Sequence, residues 1–406
     1  MEKFMKNKIN EIIVSHNEKL SSELILRYLK ERKVIQIKSD IYISNPLSPI
    51  DLENPGVIIN SSGSKNMPKH CYHSIENLNQ SANYCGKWLE EQEFDLSNII
   101  IFNTLPLSHI SGFMPLWRSK IWECEYINIS RNMIKESKYI LDKTLTIKGK
   151  SRKKLITSLV PTQLYRLLLN KDGINWLNLF DLIWVGGASI SKNIFQKCIQ
   201  EKINLSPCYG ATETAAMISS LKPKEFLNGN LNDGEILKDI KVRINEKNLI
   251  EIKTKRIGKE VSESSEIKDF KNFEGWWESG DIGKKFTKNN KEYLIVYGRV
   301  DNTINSGGEI IFLDLIQKRI VDFINKEDLP IENFKFEKIN DIIWGERYRI
   351  LLNFKENTVN KNFSKSIKKL EDFTDSFQKF EKPFEWIVNK EKIVSDNFIK
   401  DWKNKD

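Results

Sequence analysis

Cysteine is sparse and scattered. Five cysteines, Cys71, Cys85, Cys124, Cys198 and Cys208, stand in 406 residues, an odd number with no C-x-x-C among them. The four histidines complete no ligand pattern with them. Neither a disulfide framework nor structural zinc is expected, and reduced cytoplasmic thiols are the plain reading. No apolar run approaches the roughly 18 residues that span a bilayer, so no integral membrane segment is expected. Met1 to Lys8 is charged and no apolar stretch follows it, unlike a secretory leader. Aromatics are missing from the densest basic segment, Lys148-Gly149-Lys150 and Arg152-Lys153-Lys154, so it lacks the stacking platform of a single-strand binder. Nucleic acid is not an expected partner. The net charge of +9 comes mostly from lysine spread along the chain. That reads as compositional bias, and a ligand with several negative charges suits it better.

What is present is a folded protein: 40% hydrophobic and 10% aromatic residues in a length that favours two domains. Leu20 to Leu29 has helical spacing and Val34-Ile35-Gln36-Ile37 reads as a strand. Further buried strands are read at Gly56–Ile59, Ile99–Phe102, Leu155–Val160 and Leu182–Val185, with helices at Cys71–Glu93 and Gln163–Leu169. This alternation predicts α/β layering. Residues 130–152 read as a polar surface excursion. From about 231 the runs shorten and alternate, as in a small β-rich subdomain, and the glycine-poor end fits a small mixed domain.

The chemistry sits in the connections. Ser61-Ser62-Gly63-Ser64-Lys65-Asn66-Met67-Pro68-Lys69 follows a strand. It offers backbone N–H groups, hydroxyls and ammonium groups to a polyphosphate, although Ser/Gly/Asn/Pro clusters also make ordinary turns. His70 and His73 read as cap or surface residues. Pro106-Leu107-Ser108-His109-Ile110-Ser111-Gly112 stands where open α/β sheets place ligands, and Arg118 follows on a helix. Gly186-Gly187 allows close approach of a planar ligand or a tight turn. Tyr209-Gly-Ala-Thr212-Glu213 offers a ring, a hydroxyl and a carboxylate able to join Mg²⁺ beside phosphate. An ordinary loop leading into a helix is the other reading.

In this order, Ser62-Gly63-Ser64…Pro68-Lys69, Tyr209-Gly-x-Thr-Glu213, Ser279-Gly-Asp281 and Gly298-Arg299-x-Asp301 resemble the adenylate-forming superfamily. His109-Ile-Ser111-Gly with Arg118-Ser119, Ser158-Leu-Val-Pro-Thr-Gln163-Leu and Ile304-x-Ser-Gly-Gly-Glu309 are most similar to the o-succinylbenzoate–CoA ligases of menaquinone and phylloquinone synthesis. The resemblance implies a large N-terminal domain of layered α/β sheets, residues 1–299, with the β-rich subdomain at about 231–299. A small mobile α+β domain, residues 300–406, would turn about a hinge at Asp301. It implies ATP, Mg²⁺ and coenzyme A, and an aromatic dicarboxylate as substrate. Ser62, Gly63, Ser64 and Lys69 would hold phosphates, Gly187 and Tyr209 the adenine, Thr212 phosphate and Glu213 the metal. Asp281 and Arg299 would bind ribose, Ser111 and Arg118 the substrate carboxylates, and His109 would gate the acyl pocket. Another aryl or acyl acid, a carrier-protein acceptor, or a non-catalytic nucleotide-binding protein are the alternatives.

Two departures stand out. Lys65-Asn66 replaces the family's Ser/Thr-Gly, and no C-terminal Gly-Lys is found, which leaves Lys400, then Lys392, as candidates for the adenylation lysine. The chain is also short for the family, with the deficit before the phosphate loop.

Overall fold

In the computed structural model the described residues are 9–14, 18–39, 47, 52, 54–61, 69–130, 132–262, 264, 266–355 and 360–388. They divide into two units. The first holds residues 1–190, 194–279 and 284–296, and the second 191–193, 280–283 and 297–406.

The first unit begins with β1 (Asn10–Val14), α1 (Glu18–Lys30), β2 (Val34–Ser39), β3 (Gly56–Asn60) and β4 (His70–Ser74). Then come α2 (Ile75–Glu90), β5 (Ile99–Asn103), α3 (Ile110–Trp122), β6 (Glu125–Asn128), α4 (Ser137–Lys150), β7 (Lys154–Leu159), α5 (Pro161–Leu168), α6 (Lys171–Leu177) and β8 (Leu182–Val185). After α7 (Lys192–Gln200) follow β9 (Leu205–Ala211), β10 (Ala216–Ser220), α8 (Pro223–Leu227), β11 (Glu235–Ile236), β12 (Lys241–Ile244) and β13 (Leu249–Lys253). The short strands β14 (Lys259–Val261) and β15 (Ile267–Asp269) precede β16 (Trp277–Lys288) and β17 (Lys291–Arg299).

Two sheets result. One has the order β1-β2-β3-β4-β14-β15, and the other β12-β13-β16-β17-β11-β10-β9-β8-β7-β5-β6. β6, β5, β7, β8 and β9 are parallel. Parallel strands bury both faces, which is why β5 reads Ile-Ile-Ile-Phe without a polar alternation. Ile99 and Ile101 enter one core while Ile100 and Phe102 enter the other. Helices α2 and α3 lie between the two sheets: Leu78, Phe113 and Met114 pack with Ile35 and Ile59 of the smaller sheet, while Cys85, Trp88 and Trp122 pack with Ile101 and Trp184 of the larger.

Three expectations are corrected. Among the described residues, strand β1 precedes the first helix. His70 to Ser74, read as the start of a helix, is a strand paired with β3 and β14, and Ser74 caps the helix that follows. Residues 137–150 form α4, whose Ile140, Leu141 and Thr144 are buried; Trp176 donates to the Thr144 hydroxyl at 2.9 Å. The short strands after 231, expected as a β-rich region, join the two sheets: β11, β12, β13, β16 and β17 extend the larger, and β14 and β15 the smaller.

The second unit contains β18 (Thr303–Ser306), β19 (Glu309–Phe312), α9 (Leu313–Lys326), β20 (Ile331–Asp341), β21 (Gly345–Phe354), α10 (Asn360–Thr374) and β22 (Trp386–Val388). Its sheet runs β19-β18-β21-β20, with β22 beside β21. Ile316, Ile320 and Ile324 recur every fourth residue along α9 and pack on Phe334, Ile350 and Leu352. Among the described residues no helix is long and apolar enough to cross a membrane.

Candidate active site

The parallel strands β5, β7, β8 and β9 all end at one edge of the sheet, where α/β folds collect ligand-binding loops. Asn103, the last residue of β5, is fully buried and shapes the first loop. Its amide donates to the Leu105 carbonyl at 2.9 Å and the Gly112 carbonyl at 3.2 Å, and its oxygen accepts from the Leu105 N–H. Gly112 has no room for a side chain: a Cβ would lie 2.1 Å from the Pro106 carbonyl oxygen. The loop therefore turns tightly and leaves His109 exposed at the N-cap of α3. Thr104 donates to the Ser158 carbonyl at 2.7 Å and Gln163 to the Thr104 carbonyl at 3.1 Å, which ties this loop to the one after β7.

Ser111 is exposed in the first turn of α3. Pro115, inside the helix, removes the N–H that would have bonded the Ser111 carbonyl. Arg118 is two turns further on the same face, about 10 Å along the axis, and only 3% exposed. Its guanidinium lies over the Trp184 ring, 5.1 Å from the centroid, and its Nε has no hydrogen-bond partner among the described residues. The two residues expected at the substrate carboxylates thus stand at different depths, one exposed and one in the core.

On the neighbouring strands, β8 ends at Gly186-Gly187, and Gly187 has φ +84°. Tyr209 sits half-buried on β9. The segment beyond it does not enter a helix. It turns through one 3-10 turn, Thr212–Thr214, and returns antiparallel as β10. Thr212 and Glu213 are half-buried at this turn.

The candidate phosphate residues Ser62, Gly63 and Ser64, with Lys65 and Asn66, lie outside the described residues, as do Lys392 and Lys400. The base of the loop is described. Ser61 N–H donates to the Lys69 carbonyl at 2.8 Å, and Nδ1 of His70 lies 2.7 Å from Oδ1 of Asn60. Lys69 is exposed, 3.9 Å from Glu260. His70 and His73 are not surface residues: they are 5% and 0% exposed. The strand's backbone is paired with β3 and β14, which the local sequence does not reveal. Nε2 of His73 lies 2.7 Å from the Thr212 carbonyl oxygen, and burial presses the imidazole pKa down to about 4. Burial drives the Cys71 thiol well above its usual range, with the nearby Glu213 and Glu260 carboxylates adding to the shift. No group of three or more His, Cys, Asp and Glu gathers among the described residues. A magnesium ion at Glu213 would therefore take its other ligands from phosphate oxygens and water, the set this ion favours.

In the second unit, Asp281, Arg299 and Asp301 come together. Arg299 Nη1 reaches Asp281 at 3.5 Å and its Nε reaches Asp301 at 3.4 Å. Asp314, which the sequence did not single out, holds the backbone beneath them. It accepts the Arg299 N–H at 3.2 Å and the Asn302 side-chain amide, and burial raises its pKa.

With this geometry in view, the comparisons with known proteins are specific. The description "AMP-binding enzyme" matches residues 3–258. The 2-succinylbenzoate–CoA ligase of Listeria monocytogenes is 27% identical over 283 residues, 69% of this chain and 57% of that one. The enzyme of the same name from Escherichia coli is 24% identical over 348 residues, 84% of this chain and 68% of that one. The chain thus spans 57% of the length of the Listeria relative. The fold is shared with the o-succinylbenzoate–coenzyme A synthetase of Bacillus subtilis in complex with AMP, at TM-score 0.66 and 16% identity, over 95% of this chain and 85% of that one. The same enzyme with its acyl-adenylate intermediate matches at TM-score 0.66 and 18% identity, over 94% and 80%. With the match covering more than half its length, this chain belongs to the AMP-binding enzyme family.

Proposed function

We propose that the protein is an AMP-forming acid–CoA ligase acting on o-succinylbenzoate. The observation that carries the substrate assignment is Arg118, a guanidinium held in the core with Nε unpaired. A buried charge is costly unless something pairs with it, and a fatty-acyl pocket has no use for one. A carboxylate of the substrate supplies the missing partner, and the planar fork suits two-point binding. The relatives named for 2-succinylbenzoate support the same choice.

In the first half-reaction the acid's reacting carboxylate attacks the α-phosphorus of ATP and pyrophosphate leaves. In the second, the thiolate of coenzyme A attacks the acyl carbonyl and AMP leaves. Both steps depend mainly on positioning and charge neutralisation. Gly187 and Tyr209 line the adenine, Ser62, Gly63, Ser64 and Lys69 bind the β- and γ-phosphates, Thr212 touches phosphate, and Asp281 and Arg299 hold the ribose hydroxyls. Mg²⁺ at Glu213 supplies charge neutralisation. Ser111 and Arg118 take the substrate carboxylates and His109 closes over the acyl pocket. Residues 300–406 turn about Asp301 between the half-reactions, and Lys400 serves adenylation. The free thiols fit a cytoplasmic enzyme. Pyrophosphate release across a panel of carboxylic acids tests the assignment: o-succinylbenzoate should exceed monocarboxylic aryl acids at least tenfold in kcat/KM. Equal rates would remove it.

A further inference from the structure

The Thr212–Glu213 turn is braced from behind by two other segments. His73 on β4 directs Nε2 at the Thr212 carbonyl oxygen, 2.7 Å away. The Gly258 N–H donates to the next carbonyl, that of Glu213, at 2.8 Å. Gly258 can stand there only as glycine, because a Cβ would lie 2.7 Å from His73 Cε1 and 2.6 Å from the Tyr72 carbonyl oxygen. The peptide groups on both sides of Glu213 are therefore each fixed by a donor. A carbonyl only accepts, so the buried ring carries its proton on Nε2. Nδ1 has no hydrogen-bond partner among the described residues. The Cys71 thiol also lies 3.3 Å from Nε2. β4 starts at His70, next to Lys69, so one strand both follows the candidate phosphate loop and braces the turn that carries Thr212 and Glu213.

We propose that His73 is a positioning residue of the nucleotide site, its Nε2–H holding the Thr212–Glu213 turn in the orientation that meets phosphate and magnesium. The inference rests on the nucleotide roles assigned above to Thr212 and Glu213.

Two nearly isosteric substitutions separate positioning from packing. In His73→Gln the amide nitrogen can occupy the place of Nε2, whereas in His73→Asn it falls where Nδ1 stands and cannot reach Thr212. Both are neutral and polar. The readout is the dissociation constant of Mg·ATP on the full chain, measured by calorimetry, with ATP in EDTA alongside and a thermal melt of each variant. His73→Gln should bind Mg·ATP within about threefold of wild type. His73→Asn should bind it at least tenfold more weakly, with a smaller loss for ATP in EDTA, because Glu213 acts only through the metal. Equal affinity in the two variants overturns the inference, whether both match wild type or both fall with their melting temperatures. Should His73→Asn fail to fold, His73→Met takes its place under the same criterion. No Mg·ATP binding by the wild type would instead remove the nucleotide reading itself, and this inference with it.

Discussion

Replacing Arg118 by methionine should make the protein more stable and less active. The guanidinium is 3% exposed, its Nε is unpaired among the described residues, and the contact seen is with the Trp184 face at 5.1 Å. Removing an ion from water costs several kcal/mol even after relaxation. A desolvated cation–π contact returns about 2 kcal/mol. The net burden on the free protein is therefore about 1–3 kcal/mol, and a flexible apolar side chain of similar length relieves it. A rise in Tm of about 2–6 °C follows. Activity should move the other way. Losing a charge-assisted contact to a substrate carboxylate costs about 2–4 kcal/mol, or about 30- to 1,000-fold in kcat/KM for o-succinylbenzoate. Arg118→Lys keeps the charge but not the planar fork, and should fall between the two in rate without the gain in stability. Scanning calorimetry and pyrophosphate release on the same preparations decide it. A less stable Arg118→Met that retains kcat/KM within threefold would refute the reasoning, because the charge would then be structural.

Other consequences follow from buried groups elsewhere. Arg256 and Asp239 form an ion pair at 3.0 Å with side chains 0% and 2% exposed, so Asp239→Ala strands a buried cation and should cost about 3–5 kcal/mol in urea unfolding; a loss under 1 kcal/mol would contradict this. Burial presses the His73 imidazole down to about 4, below the ordinary 6.5 of an exposed ring. The unfolded chain therefore binds more protons between these values, and the neutral ring's contribution is present above pH 6.5 and lost as pH falls toward 4. From pH 7 to pH 5 the loss is about 2 kcal/mol, and His73→Gln should lack it; identical pH slopes for the two proteins would sink the assignment. Lys400→Ala should abolish pyrophosphate release yet spare thioester formation from supplied acyl-adenylate, and unchanged adenylation would move the role to Lys392.

Where one face or both faces of an element are simply apolar, the sequence was readable. β3, β5, β7, β8 and α5 lie within a residue or two of the apolar runs that announced them. β4 was misread because His-Cys-Tyr-His-Ser carries no such run. Its strand pairing with β3, and with the distant β14, together with the His73 contact to the Thr212 carbonyl, leaves no mark in its own residues. α4 was missed because a lysine-rich exterior masks Ile140, Leu141 and Thr144, buried beneath Trp176. In the site, the motif residues were legible as residue types in order, but their supports were not. Asn103, His73, Gly258 and Asp314 act through backbone carbonyls and N–H groups, and such partners leave no pattern along the chain. Arg118 was chosen for its charge, while its depth in the core came only from the fold.

CoA-dependent AMP release with o-succinylbenzoate tests the central assignment most directly. The account predicts that AMP appears in proportion to CoA when o-succinylbenzoate, ATP and Mg²⁺ are present, and that no long-chain fatty acid substitutes. Turnover of long-chain acids with none of o-succinylbenzoate would contradict it.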